Sequence, residues 1–218
     1  MKYLIDSANY TEIDQALRVG AAGVTANPSL YLKENVSFYD FLKDYHDKNI
    51  LLTAEVIADD DEDLVRQAEK VIEISKDIVI KLNYSAASLK FARLMQEKGI
   101  KTAITLVFDI NQAMMAINAG ADYLFLFVAR NEEIGVDGLE LIRNISRIVE
   151  SKGYHTKLVA ASIRTKYQLE SATLFADYIA VPYRLMEETF HHPLTVSGAD
   201  RFADDMKKVL DTGEALAP

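Results

Sequence analysis

The sequence predicts an α/β protein, a (β/α)8 or TIM barrel with an extra C-terminal helix. Short apolar runs typical of strands alternate with helical patterns from one end of the chain to the other. Strands that alternate with crossover helices are parallel, and eight such units in about 200 residues favour a closed barrel. An open doubly wound sheet is the alternative, although no glycine-rich phosphate loop follows the first strand.

The eight strands are predicted where β-branched and other apolar residues cluster. They cover residues 2–6, 23–27, 51–58, 77–83, 101–108, 123–129, 156–162 and 177–182. Helical patterns fill the gaps, for example 61–75 and 85–98, and Gly99, Gly120 and Gly153 stand where helices should end. An amphipathic pattern over 198–210 predicts the extra helix, which would cover one end of the barrel or reach a neighbouring subunit. No linker interrupts the pattern, so residues 1–218 are expected to form one domain.

Composition excludes several classes of site and partner. The chain of 218 residues has no cysteine, which excludes disulfides, thiolate metal sites and a cysteine nucleophile. Its net charge of −9 argues against nucleic-acid binding, which needs a basic face. No apolar run is long enough for a membrane span, and Asp6 comes too early for a signal-peptide core. A cytoplasmic protein without a membrane or nucleic-acid partner is expected.

The stretch "DIVIKLNYS" at residues 77–85 places a lysine near the end of a predicted buried strand. Side chains on a strand alternate between its two faces. Lys81 therefore shares one face with Val79 and Asn83, while the other face is wholly apolar. The apolar face should pack against the helices, so Lys81 is expected to point into the barrel.

The same alternation directs four more polar residues inward, each near the C-terminal end of its strand. These residues are Asp6, Asn27, Glu55 and Thr105. Active sites of such barrels are built at this end. We therefore expect the five polar side chains to converge on one site.

Each of these residues also has a purely structural interpretation. Lys81 could extend its amine to water, or form a structural ion pair with Glu55. Asp6 and Asn27 could cap the helices that follow them, and Thr105 is an ordinary strand residue. The convergence of all five favours the functional interpretation.

A lysine among apolar walls is predicted to react with ketones. Burial disfavours the ammonium, which makes the free amine accessible for Schiff-base formation. The resulting iminium is an electron sink for breaking or making an adjacent carbon–carbon bond. Glu55 and Asp6 are the interior carboxylates available for the proton transfers.

No metal is predicted at this site. None of the four histidines lies at the C-terminal end of a predicted strand; they are His46, His155, His191 and His192. The acidic run at 59–63 offers oxygen ligands for Mg²⁺, but capping of the following helix is the favoured interpretation.

Basic residues at neighbouring strand ends indicate a phosphate site. Ser162 and Arg164 follow the seventh strand, and the sixth strand runs into Arg130. Guanidinium groups match the geometry of phosphate oxygens, and loops at the later strands of barrels often bind phosphate. Ordinary surface arginines are the alternative.

Taken together, seven motifs resemble the small-subunit transaldolases and the related fructose-6-phosphate aldolases over nearly the whole chain. They are "LIDSAN", "GVTANPS", "AEVIA", "IVIKL", "ITLVF", "FVAR" and "AASIRT". The resemblance implies a (β/α)8 barrel, a class I mechanism without a cofactor, sugar-phosphate substrates and a homopentamer or homodecamer.

The resemblance also implies a role for each candidate residue. Lys81 would form the Schiff base, Asp6 would transfer protons and hold the donor, and Glu55 and Thr105 would position a catalytic water. The remaining residues would bind substrate: Asn27 the donor hydroxyls, and Arg130, Ser162 and Arg164 the phosphate.

Two positions favour transfer of the three-carbon unit over its release. Glu55 resembles the carboxylate of transaldolases, whereas the aldolases carry glutamine there. Phe127, also assigned to the substrate site, resembles transaldolases, whereas the aldolases carry a tyrosine that would protonate the enamine. The resemblance thus implies a transaldolase acting on a fructose 6-phosphate type donor. The alternatives are a fructose-6-phosphate aldolase or a related ketose phosphate or sulfonate lyase, and a non-catalytic sugar-phosphate-binding barrel.

Several positions depart from the family pattern, and three of them bear on which donor the site would accept. In the family, the second residue after the lysine is usually proline, and here it is Asn83. Ala103 stands where an asparagine often binds the donor. Phe125 occupies an inward position that is usually serine or alanine. Its ring would crowd the donor hydroxymethyl group, or it would compensate for smaller neighbours by local repacking.

Overall fold

The computed structural model describes residues 1–58 and 60–215, with side chains to residue 211. Eight parallel strands form a closed barrel in chain order, in which the first strand pairs with both the second and the eighth. The strands are β1 (Lys2–Asp6), β2 (Gly23–Thr25), β3 (Leu51–Val56), β4 (Val79–Asn83), β5 (Thr102–Val107), β6 (Tyr123–Phe127), β7 (Lys157–Ala161) and β8 (Tyr178–Val181). The predicted (β/α)8 barrel is confirmed.

Helices connect all consecutive strands and follow the last one. They are α1 (Tyr10–Arg18), α2 (Pro28–Glu34), α3 (Phe38–Tyr45), α4 (Asp61–Ile74), α5 (Ala86–Glu97), α6 (Ile110–Asn118), α7 (Ala129–Glu132), α8 (Gly138–Lys152), α9 (Lys166–Ala172), α10 (Tyr183–Thr189) and α11 (Pro193–Ala215). The extra C-terminal helix is therefore present and longer than the predicted 198–210. Within the described residues, no helix combines the length and the apolar character needed to cross a membrane.

The chain divides into two compact units, Met1–Tyr183 and Arg184–Pro218. The first contains the barrel and the helices up to α9. The second contains the rest of α10 and the whole of α11. The expectation of one domain over residues 1–218 stays a prediction.

Helix ends follow the local signals of the sequence. Gly99, Gly120 and Gly153 have φ angles of 68°, 84° and 67°, and each follows the last turn of a helix as predicted. At α9, Thr165 and Gln168 form a reciprocal capping box. These signals are local, and this is why the sequence revealed them.

Several predicted strands extend too far at one end. The second strand ends at Thr25 rather than at Asn27, because the Asn27 side chain accepts a hydrogen bond from the Leu30 N–H and caps α2. The third strand likewise ends at Val56, before Asp60 caps α4. Capping side chains thus end the extended conformation earlier than apolar runs indicate.

The interior of the barrel is filled by side chains from six strands. The cluster consists of Leu4, Val79, Ala103, Phe125, Val159, Ala161 and Ala180. These residues are close to fully buried, and small and large side chains alternate around the ring of strands. This packed layer fills the barrel interior, and the polar residues at the C-terminal ends of the strands lie next to it.

Candidate active site

Lys81 lies on β4 inside the barrel and is only 5% exposed. Its Nζ is 2.9 Å from Oε2 of Glu55, which lies directly opposite on β3. The Ala26 carbonyl oxygen is 3.4 Å from Nζ. The interpretation of Lys81 as a side chain that extends to water is therefore wrong, and the ion pair with Glu55 is present.

The surroundings of Lys81 differ in one respect from the predicted apolar walls. The carboxylate of Glu55 offers an acceptor for the amine proton at hydrogen-bonding distance. The amine is therefore bordered by a carboxylate as well as by apolar side chains. The sequence placed both residues on inward faces and offered their ion pair as one interpretation, which the structure bears out.

A cavity of about 420 Å³ opens above Lys81 at the C-terminal end of the barrel. Seven of the nine predicted site residues line it: Asp6, Asn27, Lys81, Phe127, Arg130, Ser162 and Arg164. The other two, Glu55 and Thr105, lie beside it on β3 and β5. The predicted convergence therefore describes the geometry well.

Asp6 lies at the end of β1 and lines the cavity. It does not cap α1, because Asn9 accepts the hydrogen bonds from the Thr11 and Glu12 N–H groups. Burial raises the pKa of Asp6; the charge of Lys81 opposes this effect and the charge of Glu55 adds to it. A carboxyl group with a raised pKa is suited to both accepting and donating a proton.

Asn27 combines the two roles considered for it. Its Oδ1 accepts a hydrogen bond of 3.1 Å from the Leu30 N–H, so the capping interpretation is confirmed. The same residue lines the cavity. Helix capping therefore fixes the position of a side chain that faces the site.

Four buried polar atoms near the C-terminal ends of the strands have no hydrogen-bond partner in the protein. They are the Tyr31 hydroxyl, Glu55 Oε2, Asn83 Oδ1 and Thr105 Oγ1. The contact between Glu55 and Lys81 is close in distance, but it lacks the alignment of a hydrogen bond. Such groups are costly to bury unless water or a ligand binds them. They are the buried polar groups at this end of the barrel whose hydrogen-bonding capacity the described fold does not use.

Thr105 is fully buried on β5 and stands opposite Asn83 of β4. The next residue, Leu106, has a φ angle of 57°, and the pairing of β5 with β6 shifts register there. A bulge of this kind redirects side chains and is common beside active sites.

The two arginines stand at the ends of β6 and β7. Arg130 lies on the short helix α7, and Arg164 lies in the loop before α9. Both pair with Glu133: Arg130 Nη1 is 3.8 Å from Oε2, and Arg164 donates a hydrogen bond to Oε1. The hydrogen bond from Arg164 holds the pKa of Glu133 below its ordinary value. A phosphate bound by these arginines would take the place of the Glu133 carboxylate.

Ser162 lines the same cavity as the two arginines and has an unusual backbone conformation with a φ angle of 56°. The Ala129 N–H donates to its carbonyl oxygen at 3.0 Å, which joins the end of β7 to the start of α7. Left-handed conformations of residues other than glycine cluster at functional sites, where the surrounding structure maintains the strain.

Phe127 forms an apolar wall of the cavity. Its ring packs edge to face on Phe108 with centroids 5.3 Å apart. No hydroxyl group is present at this position.

The acidic run caps a helix, as the favoured interpretation predicted. Asp60 Oδ1 accepts a hydrogen bond of 2.7 Å from the Asp63 N–H at the start of α4. Asp61 and Glu62 occupy the first turn, where the helix dipole favours negative charge. Asp59 lies outside the described residues.

Two residues near the site were missed by the sequence reasoning. Glu133 follows Arg130 by three residues, a helical spacing that indicates an ion pair. Tyr31 follows the "NPS" motif, and only the position of α2 reveals that its hydroxyl is buried.

Comparison with known proteins gives consistent results over nearly the whole chain. A family profile described as Transaldolase/Fructose-6-phosphate aldolase matches residues 3–217. A protein of Geobacillus thermodenitrificans named probable transaldolase is 42% identical over 213 residues, which are 95% of this chain and 99% of that protein. Proteins with the same name are 39% identical in Thermoanaerobacter sp., covering 95% of this chain and 98% of that protein, and 36% identical in Methanococcus maripaludis, covering 94% and 97%.

Proposed function

The chain belongs to the transaldolase/fructose-6-phosphate aldolase family, and from this membership we propose that it is a class I transaldolase. It transfers a dihydroxyacetone unit from a ketose phosphate, of the fructose 6-phosphate type, to an aldose phosphate. The observation that supports this most directly is the buried contact between Lys81 and Glu55 beneath a cavity with two arginines.

In the first step Lys81 transfers a proton to Glu55 and its amine attacks the ketone carbon of the donor. A carbon–nitrogen bond forms, the ketone oxygen takes up protons and leaves as water, and a protonated Schiff base results. Thr105 is suited to holding this water, because its buried hydroxyl has no hydrogen-bond partner in the protein. Glu55 Oε2 lies 2.9 Å from the amine at which the water is released.

In the second step Asp6 removes a proton from the hydroxyl group on the carbon beyond the three-carbon unit. The bond to that carbon breaks, its electron pair moves into the iminium, and an enamine and a shorter aldose phosphate result. The raised pKa of Asp6 suits it to accept this proton and to return it in the reverse direction. The enamine then attacks the acceptor aldehyde, and water releases the new ketose.

The phosphate of either sugar would bind at Arg130, Ser162 and Arg164. Guanidinium groups bind phosphate oxygens in pairs, and Glu133 would give up one or both of its partners. Phe127 presents no hydroxyl group to protonate the enamine. The enamine would therefore persist until an aldehyde arrives, which favours transfer over cleavage.

The experiment has two arms that use the purified protein. Incubation with fructose 6-phosphate followed by borohydride is expected to give a reduced adduct, located on Lys81 by peptide mass spectrometry. Absence of an adduct with this or other ketoses would favour the non-catalytic sugar-phosphate binder. Sustained turnover without an aldehyde acceptor would instead identify a fructose-6-phosphate aldolase or a related lyase.

For the assembly we propose a homopentamer or homodecamer. Five large apolar side chains of α11 are more than half exposed: Leu194, Phe202, Met206, Val209 and Leu210. Exposed apolar surfaces of this kind mark protein–protein contacts. Analytical ultracentrifugation is expected to give five or ten subunits, and a monomer at micromolar concentration would contradict the proposal.

A further inference from the structure

The ring of Phe125 lies against the amine of Lys81. Lys81 Nζ is 4.7 Å from the ring centroid, a distance at which a cation is attracted by the electron-rich face of an aromatic ring. Phe125 is 2% exposed and lines the cavity. The ring is thus both a wall of the site and a direct neighbour of its reactive atom.

Small side chains hold this ring in place. Phe125 lies on β6, and the two neighbouring strands contribute Ala103 from β5 and Ala161 from β7 to the same interior cluster. A large side chain beside small ones fills a barrel layer to normal packing density. The repacking interpretation of Phe125 is therefore supported, and the ring is a rigid neighbour of Lys81.

The ring differs from Glu55 and the Ala26 carbonyl in how it interacts with the amine. Both of these present oxygen atoms to the amine, at 2.9 and 3.4 Å, and oxygen atoms attract its N–H groups. An ammonium group has three N–H groups, whereas a protonated Schiff base has one. The attraction of the ring acts on the positive charge itself and accepts no proton. It therefore persists when the ammonium becomes an iminium.

We propose that Phe125 is a positioning residue that stabilises the positive charge of the protonated Schiff base on Lys81 through its ring face. The inference rests on the proposed Schiff-base function. In the step concerned, the neutral amine and the donor ketone take up one proton, lose water and become a cation. The ring favours this cation over the neutral amine. It therefore shifts the equilibrium toward the covalent intermediate wherever the neutral amine is the reactant.

The test replaces Phe125 by a series of phenylalanines with one, two and three ring fluorines, introduced at this position only. Fluorination weakens the negative face of the ring with little change in its volume. Each protein is incubated with a fixed concentration of dihydroxyacetone, reduced with borohydride and analysed for the fraction of modified Lys81. Phe125→Leu is the matched variant without a ring, and thermal unfolding of every variant controls for packing.

The trapped fraction is expected to fall stepwise with each fluorine, and the Schiff-base equilibrium constant to fall about 3- to 30-fold in Phe125→Leu. A merely structural role would leave the fluorinated series flat, because fluorination changes the charge distribution of the ring and hardly changes its shape.

The outcomes separate this inference from the proposed function. If the fluorinated proteins have the Tm of the unmodified protein and the same trapped fraction of Lys81, the role of Phe125 is refuted. The Schiff-base function then stands. If the unmodified protein itself is never trapped, the proposed function fails. Should Phe125→Leu fail to fold, the fluorinated series still decides, because its rings keep the shape of phenylalanine.

Discussion

The two ends of the barrel use polar residues in opposite ways. At the N-terminal end, Asp122 accepts a hydrogen bond of 2.8 Å from the Thr102 N–H at the start of β5. Asp177 accepts one of 2.9 Å from the Leu158 N–H in β7. These carboxylates join one strand to the next, so their hydrogen-bonding capacity is used within the fold.

At the C-terminal end, by contrast, several buried polar groups form no hydrogen bond within the described fold. Of the five buried side-chain polar atoms without a protein partner in the described residues, four lie there, and the fifth is the Thr102 hydroxyl. The same end contains the buried contact between Lys81 and Glu55. The comparison indicates that stability is concentrated at one end and reactivity at the other, as in barrel enzymes generally.

The largest expected effect comes from replacing Lys81 by methionine. The transfer rate should fall by at least about 10³-fold, because no other buried amine lies beside Glu55 in the described structure. Activity is measured with a ketose phosphate donor and an aldose phosphate acceptor.

This variant also leaves Glu55 without its partner, which costs about 3–5 kcal/mol if the carboxylate stays charged. The double variant Lys81→Met with Glu55→Gln is the control, since it removes both charges and should regain most of the stability. A double variant as unstable as the single one would show that the ion pair does not explain the loss.

At the opposite end, Asp122→Ala should lower stability without changing the rate. It leaves the Thr102 N–H without its acceptor, at a cost of about 1–3 kcal/mol. For a chain of this size, each kcal/mol lowers the Tm by about 2–4 °C. Asp122→Asn keeps an oxygen acceptor and should lose less. A fall in kcat comparable to that of an active-site variant would remove the contrast between the ends.

The raised pKa of Asp6 predicts a pH-dependent stability difference. Below its ordinary pKa of 3.8 the group is protonated in both the folded and the unfolded protein. As the pH rises from there to the higher folded pKa, the folded state retains the proton that the unfolded state loses, so stability falls.

Asp6→Asn removes this effect. Its free energy of unfolding, measured in urea from acid to neutral pH, should increase relative to the unmodified protein across that window and then stay level. A difference that does not vary with pH, or that shrinks as the pH rises, would contradict a raised pKa.

The smallest expected effect concerns the Tyr31 hydroxyl, which is buried without a partner. Tyr31→Phe should leave the free energy of unfolding unchanged or raise it by up to about 1 kcal/mol. Tyr45→Phe is the matched control. Both tyrosines pack on Phe41, at centroid distances of 5.2 and 4.9 Å, but Tyr45 hydrogen-bonds to Asp14. A larger loss in Tyr31→Phe than in Tyr45→Phe would show that water binds the Tyr31 hydroxyl strongly.

The sequence revealed most of the barrel because its signals are periodic and local. Alternation along "DIVIKL" placed Lys81 on the inward face, and glycines after helices marked three helix ends correctly. Strand ends were less accurate, since a capping residue such as Asn27 competes with the extended conformation through one hydrogen bond. Periodicity does not report such a competition.

By itself the sequence determined the order of the elements, the inward row of five strands and the family. Only the tertiary structure decided which inward residues touch. Glu55 and Lys81 are 26 positions apart, Phe125 and Lys81 are 44 apart, and Glu133 and Arg164 are 31 apart. Their contacts depend on strand register and on closure of the barrel. Spacing along one strand carries no information about the strand beside it. The contact of Phe125 with the amine therefore emerged only from the fold, and the ion pair with Glu55 was one of several interpretations until the fold decided it.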